Sequence, residues 1–253
     1  MIVRAALCPS PPLLATGVTG QADVLPELRE ACEAAVAWLL AAAPDAVTVI
    51  GPATATATWP PDSVPDPSMH APALNRLARL AAPATAPDPA PATGPRVDPL
   101  RPALPLSLVI GAQFLDGAGY AGPRVLQSVS ESASPGACRD LGRDLAADAP
   151  LTALLVMGDG TARRSAAAPG YLDERAEPFD TVVEQAFRDG DMSALAALDP
   201  DVARDLLAAG RPAWQVLAGA LTATSAVRPR TRILYSDAPF GVAYLVATLE
   251  PAP

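Results

Sequence analysis

The side chains able to do chemistry collect at three turns, each just after a short apolar run: Cys8-Pro9-Ser10-Pro11-Pro12, Gly51-Pro52-Ala53, and Gly158-Asp159-Gly160-Thr161-Ala162-Arg163-Arg164. Layered α/β proteins place functional groups where strands end, so a site is expected at these turns. Ser10 with His70 and either Asp159 or Asp98 has the residue types of a serine hydrolase. However, no Gly-x-Ser-x-Gly elbow surrounds the serine, and His70 lies in a Pro-rich stretch. A metal site would have to draw on Cys8, Ser10, His70, Asp98, Asp159 and Asp237. Cys8 and Ser10, two apart, could face one side, but no spacing ties the others to them. Arg163 and Arg164 could hold a carboxylate or phosphate, which the guanidinium fork matches, or could pair with Asp173 and Glu174 nearby. Asp159 has a plain structural reading as the residue that stabilises its turn through the backbone.

Composition narrows the chemistry further. The chain has 253 residues, and all 18 of its basic residues are arginine. Without lysine there is no Schiff-base chemistry and no P-loop. His70 is the one histidine, so a multi-histidine metal site cannot be built from this chain. The 27 acidic residues set the net charge at −9, which repels a phosphate backbone and argues against nucleic-acid partners. Cys8, Cys32 and Cys138 lie far apart without a C-x-x-C spacing, which argues against a disulfide framework and for a reducing, cytoplasmic setting. The uncharged stretch 5–22 resembles a signal peptide only until Pro9, Pro11 and Pro12, which break an apolar helix. No apolar run reaches the roughly 18 residues of a membrane span.

The elements that must position these turns alternate in type. Ile2–Cys8, Ala46–Ile50, Leu106–Ala112, Leu151–Met157, Arg232–Tyr235 and Val242–Leu249 read as strands. Val24–Leu40 reads as a helix, with Leu25, Leu28, Cys32, Val36 and Leu39 near helical spacing. Arg139–Ala147, Glu177–Arg188, Asp201–Ala209 and Pro212–Thr222 read as further helices. Pro178 suits the first turn of the second of these, and Glu184–Arg188 is a solvent-facing i,i+4 pair on it. Residues 60–105 stand apart: 13 of these 46 positions are proline, with little periodicity outside Leu74–Leu80. They read as a long, poorly ordered excursion rather than a domain boundary, so residues 1–253 are expected to form a single α/β domain.

Residues 151–221 run L-L-V-M-G-D-G-T-A-R-R, then A-P-G-Y-L-D-E-R-A-E-P-F-D, then G-D-M-S-A-L-A-A-L-D-P, then A-A-G-R-P-A-W-Q-V-L-A-G-A-L. This order resembles the class III extradiol ring-cleavage dioxygenases, of the catalytic beta-chain type, and their Memo-like relatives. The opening C-P-S-P-P-L-L and the closing A-P-F-G-V-A-Y-L-V-A are similar to the same family. The resemblance implies a three-layer α/β sandwich, with a central mixed sheet and helices on both faces. It also implies Fe(II) held by two histidines and a glutamate, with a third histidine as acid and base. This chain departs from that pattern at all four positions. Ser10 stands at the first ligand histidine, Ala53 at the second, Ala162 at the acid/base histidine and Ala208 at the glutamate, while Asp159 and Arg163 of the same motif remain.

The expected function is therefore a divergent extradiol dioxygenase-like protein that has lost iron binding and ring cleavage. It would keep the fold for small-molecule binding or complex formation, with no cofactor. The alternatives are an active ring-opening oxidoreductase with an atypical iron site, or a metal-free enzyme using Asp159, Arg163 and Ser10 in the same cleft. The family resemblance allows a homo-oligomer or a second, different chain as partner; nucleic acid and membrane are not expected partners.

Overall fold

The computed structural model of the chain describes residues 1–15, 24–60, 63, 104–147 and 151–252. His70, Asp98, Leu74–Leu80 and almost all of the Pro-rich stretch lie outside the described residues, and so does the expectation about their order.

Seven strands form one sheet: β1 (Ile2–Cys8), β2 (Ala46–Ala53), β3 (Ala57–Trp59), β4 (Arg124–Ser130), β5 (Thr152–Met157), β6 (Arg230–Asp237) and β7 (Tyr244–Glu250). Their spatial order is β3-β4-β2-β5-β1-β7-β6. The four central strands β4, β2, β5 and β1 are parallel, and β3, β7 and β6 pair antiparallel at the two sides. The sheet is mixed, with helices on both faces: a three-layer α/β sandwich. β5 lies at its centre and is buried at every position, which is why it reads as an unbroken apolar run rather than an alternation.

Side-chain alternation divides the core in two. Ala6, Cys8, Val47, Val49, Leu155 and Met157 face α1 (Pro26–Leu40) and α2 (Leu106–Gly117). Ala5, Leu7, Ile50, Leu154 and Val156 face the other way. There they meet α3 (Pro135–Ala147), α4 (Ala176–Arg188), the short α5 (Met192–Ala196) and α7 (Arg211–Thr224); α6 (Pro200–Asp205) leads into α7. Pro26, Pro200 and Pro212 occupy first-turn positions, where the missing N–H has no helical partner to lose.

Leu106–Ala112, expected as a strand, is instead the first half of α2. Seven of the twelve residues of this helix are buried, so apolar side chains surround it and no polar face reveals its period. It packs close to the sheet. A Cβ on Gly111 would lie 2.5 Å from Val49 Cγ1, and the Ser107 hydroxyl donates to the Pro52 carbonyl at 2.9 Å. Arg124–Ser130 takes the sheet position beside β2 instead, and neither it nor Ala57–Trp59 was anticipated as a strand. β2 also continues through Gly51-Pro52, the expected stop, to Ala53; Pro52 and Ala53 still pair with Val129 and Ser130.

The tightest helix contact is backbone on backbone. A Cβ on Gly142 of α3 would stand 2.1 Å from the Val216 carbonyl oxygen of α7, and one on Gly219 would stand 2.5 Å from the Arg139 carbonyl oxygen. Gly142→Ala must push these helices apart, so it should cost about 1–3 kcal/mol of unfolding free energy in urea melts. Gly136→Ala, whose Cβ would meet nothing closer than 3.8 Å, should be neutral or slightly stabilising.

Candidate functional site

The C-terminal ends of β2, β5 and β1 lie side by side because the three strands are parallel neighbours. This places the Ser10, Ala53 and Asp159 turns at one end of the sheet. The β1–β5 pairing extends one step past the strands, where Gly158 N–H donates to the Cys8 carbonyl at 3.0 Å. The next residue crosses the gap: Ser10 N–H donates to Asp159 Oδ1 at 2.6 Å. On the other side, Gly210 N–H donates to the Asp159 carbonyl at 2.8 Å and Ala162 N–H to Leu206 O at 3.1 Å. The loop carrying Ala208 is thus bound to the turn carrying Ala162. Ala53 joins through Glu131, whose N–H donates to the Ala53 carbonyl at 2.9 Å. Ser10 and the loops carrying Ala162 and Ala208 are thus tied to the Asp159 turn, and Ala53 ends β2 at the same end of the sheet.

Asp159 is the group under most electrostatic stress there. The residue is half-buried, but loss of hydration around its carboxyl raises the pKa from 3.8 to about 6, opposed only in part by the Ser10 N–H. Burial holds the Tyr244 phenol and the Cys32 thiol well above their usual ranges, with the Asp159 charge a lesser contribution to each. Cys8 and Cys32 are free and buried, with their thiols in contact between β1 and α1; Cys138 is free and buried on the opposite face.

Two arginines organise the surroundings differently from the sequence expectation. Arg164 pairs with Glu177 and Asp180, both at 3.3 Å, rather than with Asp173 or Glu174. Asp173 instead pairs with Arg175 at 2.9 Å. Arg163 forms no ion pair among the described residues, and its Nε is buried without a partner. Arg211, 2% exposed, has only neutral acceptors: Glu131 O at 2.5 Å, Ala133 O at 2.7 Å and Gln215 Oε1 at 2.9 Å. It fixes the β4–α3 connection beside Ala53. The solvent-facing Glu184–Arg188 pair is present.

The donor set does not fit ferrous iron. One hydroxyl and three alanine methyls stand where the resemblance requires three imidazoles and a carboxylate, and two of those imidazoles and the carboxylate would be the ligands. Among the described residues no group of three or more His, Cys, Asp or Glu is disposed to hold a metal ion. A serine nucleophile has no support either: it is the backbone N–H of Ser10 that meets Asp159, and His70 is outside the described residues. Asp237, the last metal candidate, ends β6 and lies on a separate cleft beside α4. Asp180, Glu184, Trp214 and Tyr244 of that cleft were not singled out from sequence. A signal existed for Asp180, which shares an i, i+3, i+7 stripe with the buried Val183 and Phe187.

No protein-family profile and no curated protein sequence matches the chain. Among solved structures, it is similar to the crystal structure of an uncharacterized protein from Escherichia coli K12, with 15% identity and a TM-score of 0.49. That match covers 97% of this chain and 99% of the other. No helix among the described residues is long and apolar enough to cross a membrane.

The raised pKa of Asp159 has a definite sign. Between about pH 4 and pH 6 this carboxyl holds a proton in the native state that the unfolded state has released, so its contribution to stability falls as pH rises through this window. The loss should be about 1–3 kcal/mol, allowing for screening at a partly exposed residue. Asp159→Asn keeps an acceptor for Ser10 N–H and cannot ionise, so its unfolding free energy relative to the parent's should rise across the same window and exceed the parent's at pH 7. Asp159→Ala removes the acceptor and should be the least stable of the three at pH 4, by about 1–3 kcal/mol. Urea melts at pH 4, 5, 6 and 7 check all three.

Proposed function

We propose that this chain is a divergent extradiol dioxygenase-like protein that has given up iron binding and ring cleavage and keeps the fold to bind a small molecule or a partner. The observation that carries this reading is that Ser10 and the loops carrying Ala162 and Ala208 are tied to the Asp159 turn, with Ala53 at the same end of the sheet. The positions that the resemblance assigns to iron chemistry offer one hydroxyl and three methyl groups between them. A ring-cleaving site needs an open metal face and a proton-transfer group, and this cluster supplies neither.

The framework around the cluster is closely packed. Gly158 and Gly210 form backbone hydrogen bonds at the Asp159 turn, and Arg211 anchors the β4–α3 connection. An active oxidoreductase with an atypical iron site would need a set of three donors that the described residues do not bring together.

Purified protein should carry no stoichiometric iron and should leave catechols uncleaved when Fe(II) is added under air. Elemental analysis and the absorbance of ring-opened product check this. Iron near one per chain that is lost on substituting residues around Ser10, or ring opening above the rate of free Fe(II), would overturn the reading.

A further inference from the structure

The loop after β5 carries large apolar side chains at the surface. Tyr171 is 75% exposed and Leu172 57%, and Leu207 and Phe240 are 46% and 57% exposed. The segments that bear them are tied together. A Cβ on Gly170 would lie 2.7 Å from both Arg163 Cγ and Leu207 Cδ1, and Arg175 bridges Asp173 at 2.9 Å and Asp205 at 3.9 Å. Arg164 N–H donates to the Gly241 carbonyl at 3.0 Å, which sets Phe240 beside the same loop. We propose that this patch is the interface of a two-fold symmetric dimer, in which Arg163 of each copy pairs with Glu174 of the other copy. This deepens the partner reading above and rests on it.

The backbone fixes these side chains outward. Tyr171, Leu207 and Phe240 have φ of 59°, 58° and 58°, the left-handed region that large side chains rarely adopt. Hydrogen bonds hold each one there. Tyr171 N–H donates to Ala168 O at 2.9 Å, Ala208 N–H to Ala203 O at 2.8 Å, and Gly241 N–H to Ala238 O at 3.0 Å. The backbone beneath the patch is thus set before a partner arrives, and less freedom is lost when one covers it. Aromatic and arginine side chains presented in this way supply most of the binding energy at protein interfaces.

Charge selects a second copy of this chain as the occupant. The chain as a whole carries −9, but around the patch the signs are nearly balanced. Arg175 and Arg204 are paired there with Asp173, Asp201 and Asp205. Among the described residues this leaves one group of each sign without an ion pair, Arg163 and the exposed Glu174. Both belong to the same patch, since Asp173 N–H donates to the Arg163 carbonyl at 3.0 Å. Arg163 is half-buried, with Nε packed into the loop, and its outer nitrogens are left for an acceptor from outside. A surface that holds both a free cation and a free anion is complementary to itself, as a two-fold interface requires. An interface of ordinary size takes about 800 Å² from each copy, so the paired charges around the apolar anchors are covered as its rim.

Sedimentation equilibrium of the full chain over about 1–200 μM should show the mass rising from 25.8 kDa to twice that value. Tyr171→Asp puts a charge in the patch at a backbone conformation that aspartate accepts, and should weaken the dimer at least about tenfold. Arg163→Glu and Glu174→Arg should each weaken it about tenfold alone, because each sets like charges together at both symmetric contacts. Mixed in equal amounts, these two variants should associate within about threefold of the parent, because the mixed pair has opposite charges at both contacts. A mass of 25.8 kDa at every concentration, a dimer that Tyr171→Asp or Glu174→Arg leaves unchanged, or no recovery on mixing two folded variants would overturn the proposal. Circular dichroism checks folding, and Tyr171→Asp and Glu174→Arg, both at exposed positions, decide the matter even where Arg163→Glu does not fold. The iron assay tests the parent reading separately: ring cleavage would overturn that reading while the sedimentation mass still decides this one.

Discussion

The hydrogen bond from Ser10 N–H to the Asp159 carboxyl, over 149 residues of sequence, is the contact on which this end of the molecule depends. It closes the gap left where β1 and β5 cease to pair, and the Asp159 carbonyl simultaneously receives Gly210 N–H from the start of α7. Three chain segments meet there, and Trp214 packs over the two glycines that make the approach possible. The contact carries an electrostatic cost. A carboxylate is held where hydration is poor, and its pKa of about 6 records that cost. The turn is therefore under tension at neutral pH in a way that a neutral amide would relieve.

Elsewhere, charge is handled with arginine alone. Arg164 draws Glu177 and Asp180 to the loop after β5, and Arg211 is buried against carbonyls and an amide rather than an acid. The planar fork of arginine suits both roles, because it can satisfy several acceptors in fixed directions. The excess of acids over bases is not spread evenly. Part of it gathers at the cleft between α4 and the ends of β6 and β7, next to the one buried indole whose N–H has no partner. The cluster that the resemblance assigns to iron chemistry and the acidic cleft meet at the Gly158–Gly160 turn.

Much of the fold was legible from the chain itself. β1, β5 and β7 announce themselves as apolar runs ended by turn residues, and α1 and α4 as apolar stripes at helical spacing. Segment 106–112 was not legible, because a helix buried on nearly all sides and a buried strand present the same unbroken apolar run. Arg124–Ser130 was missed for the complementary reason: Gln127 and Ser128 are polar residues in the middle of the strand. They are accommodated only because their side chains bond to Thr58, Ala57, Trp59 and Ala55 at the sheet edge.

The site divides along the same line. Residue identity alone determined that no multi-histidine iron centre, Schiff base or P-loop can exist here, since absent side chains cannot be supplied by any fold. The turn motif likewise marked Asp159 before any contact was known. Which partners these groups find was decided by tertiary structure alone. Arg164 reaches Glu177 and Asp180 instead of Asp173, Asp159 reaches a backbone N–H across the sheet, and Trp214 finds no acceptor for its N–H. Each of these depends on which surfaces the packing of helices against the sheet brings within about 3 Å, a distance scale on which sequence separation carries no information.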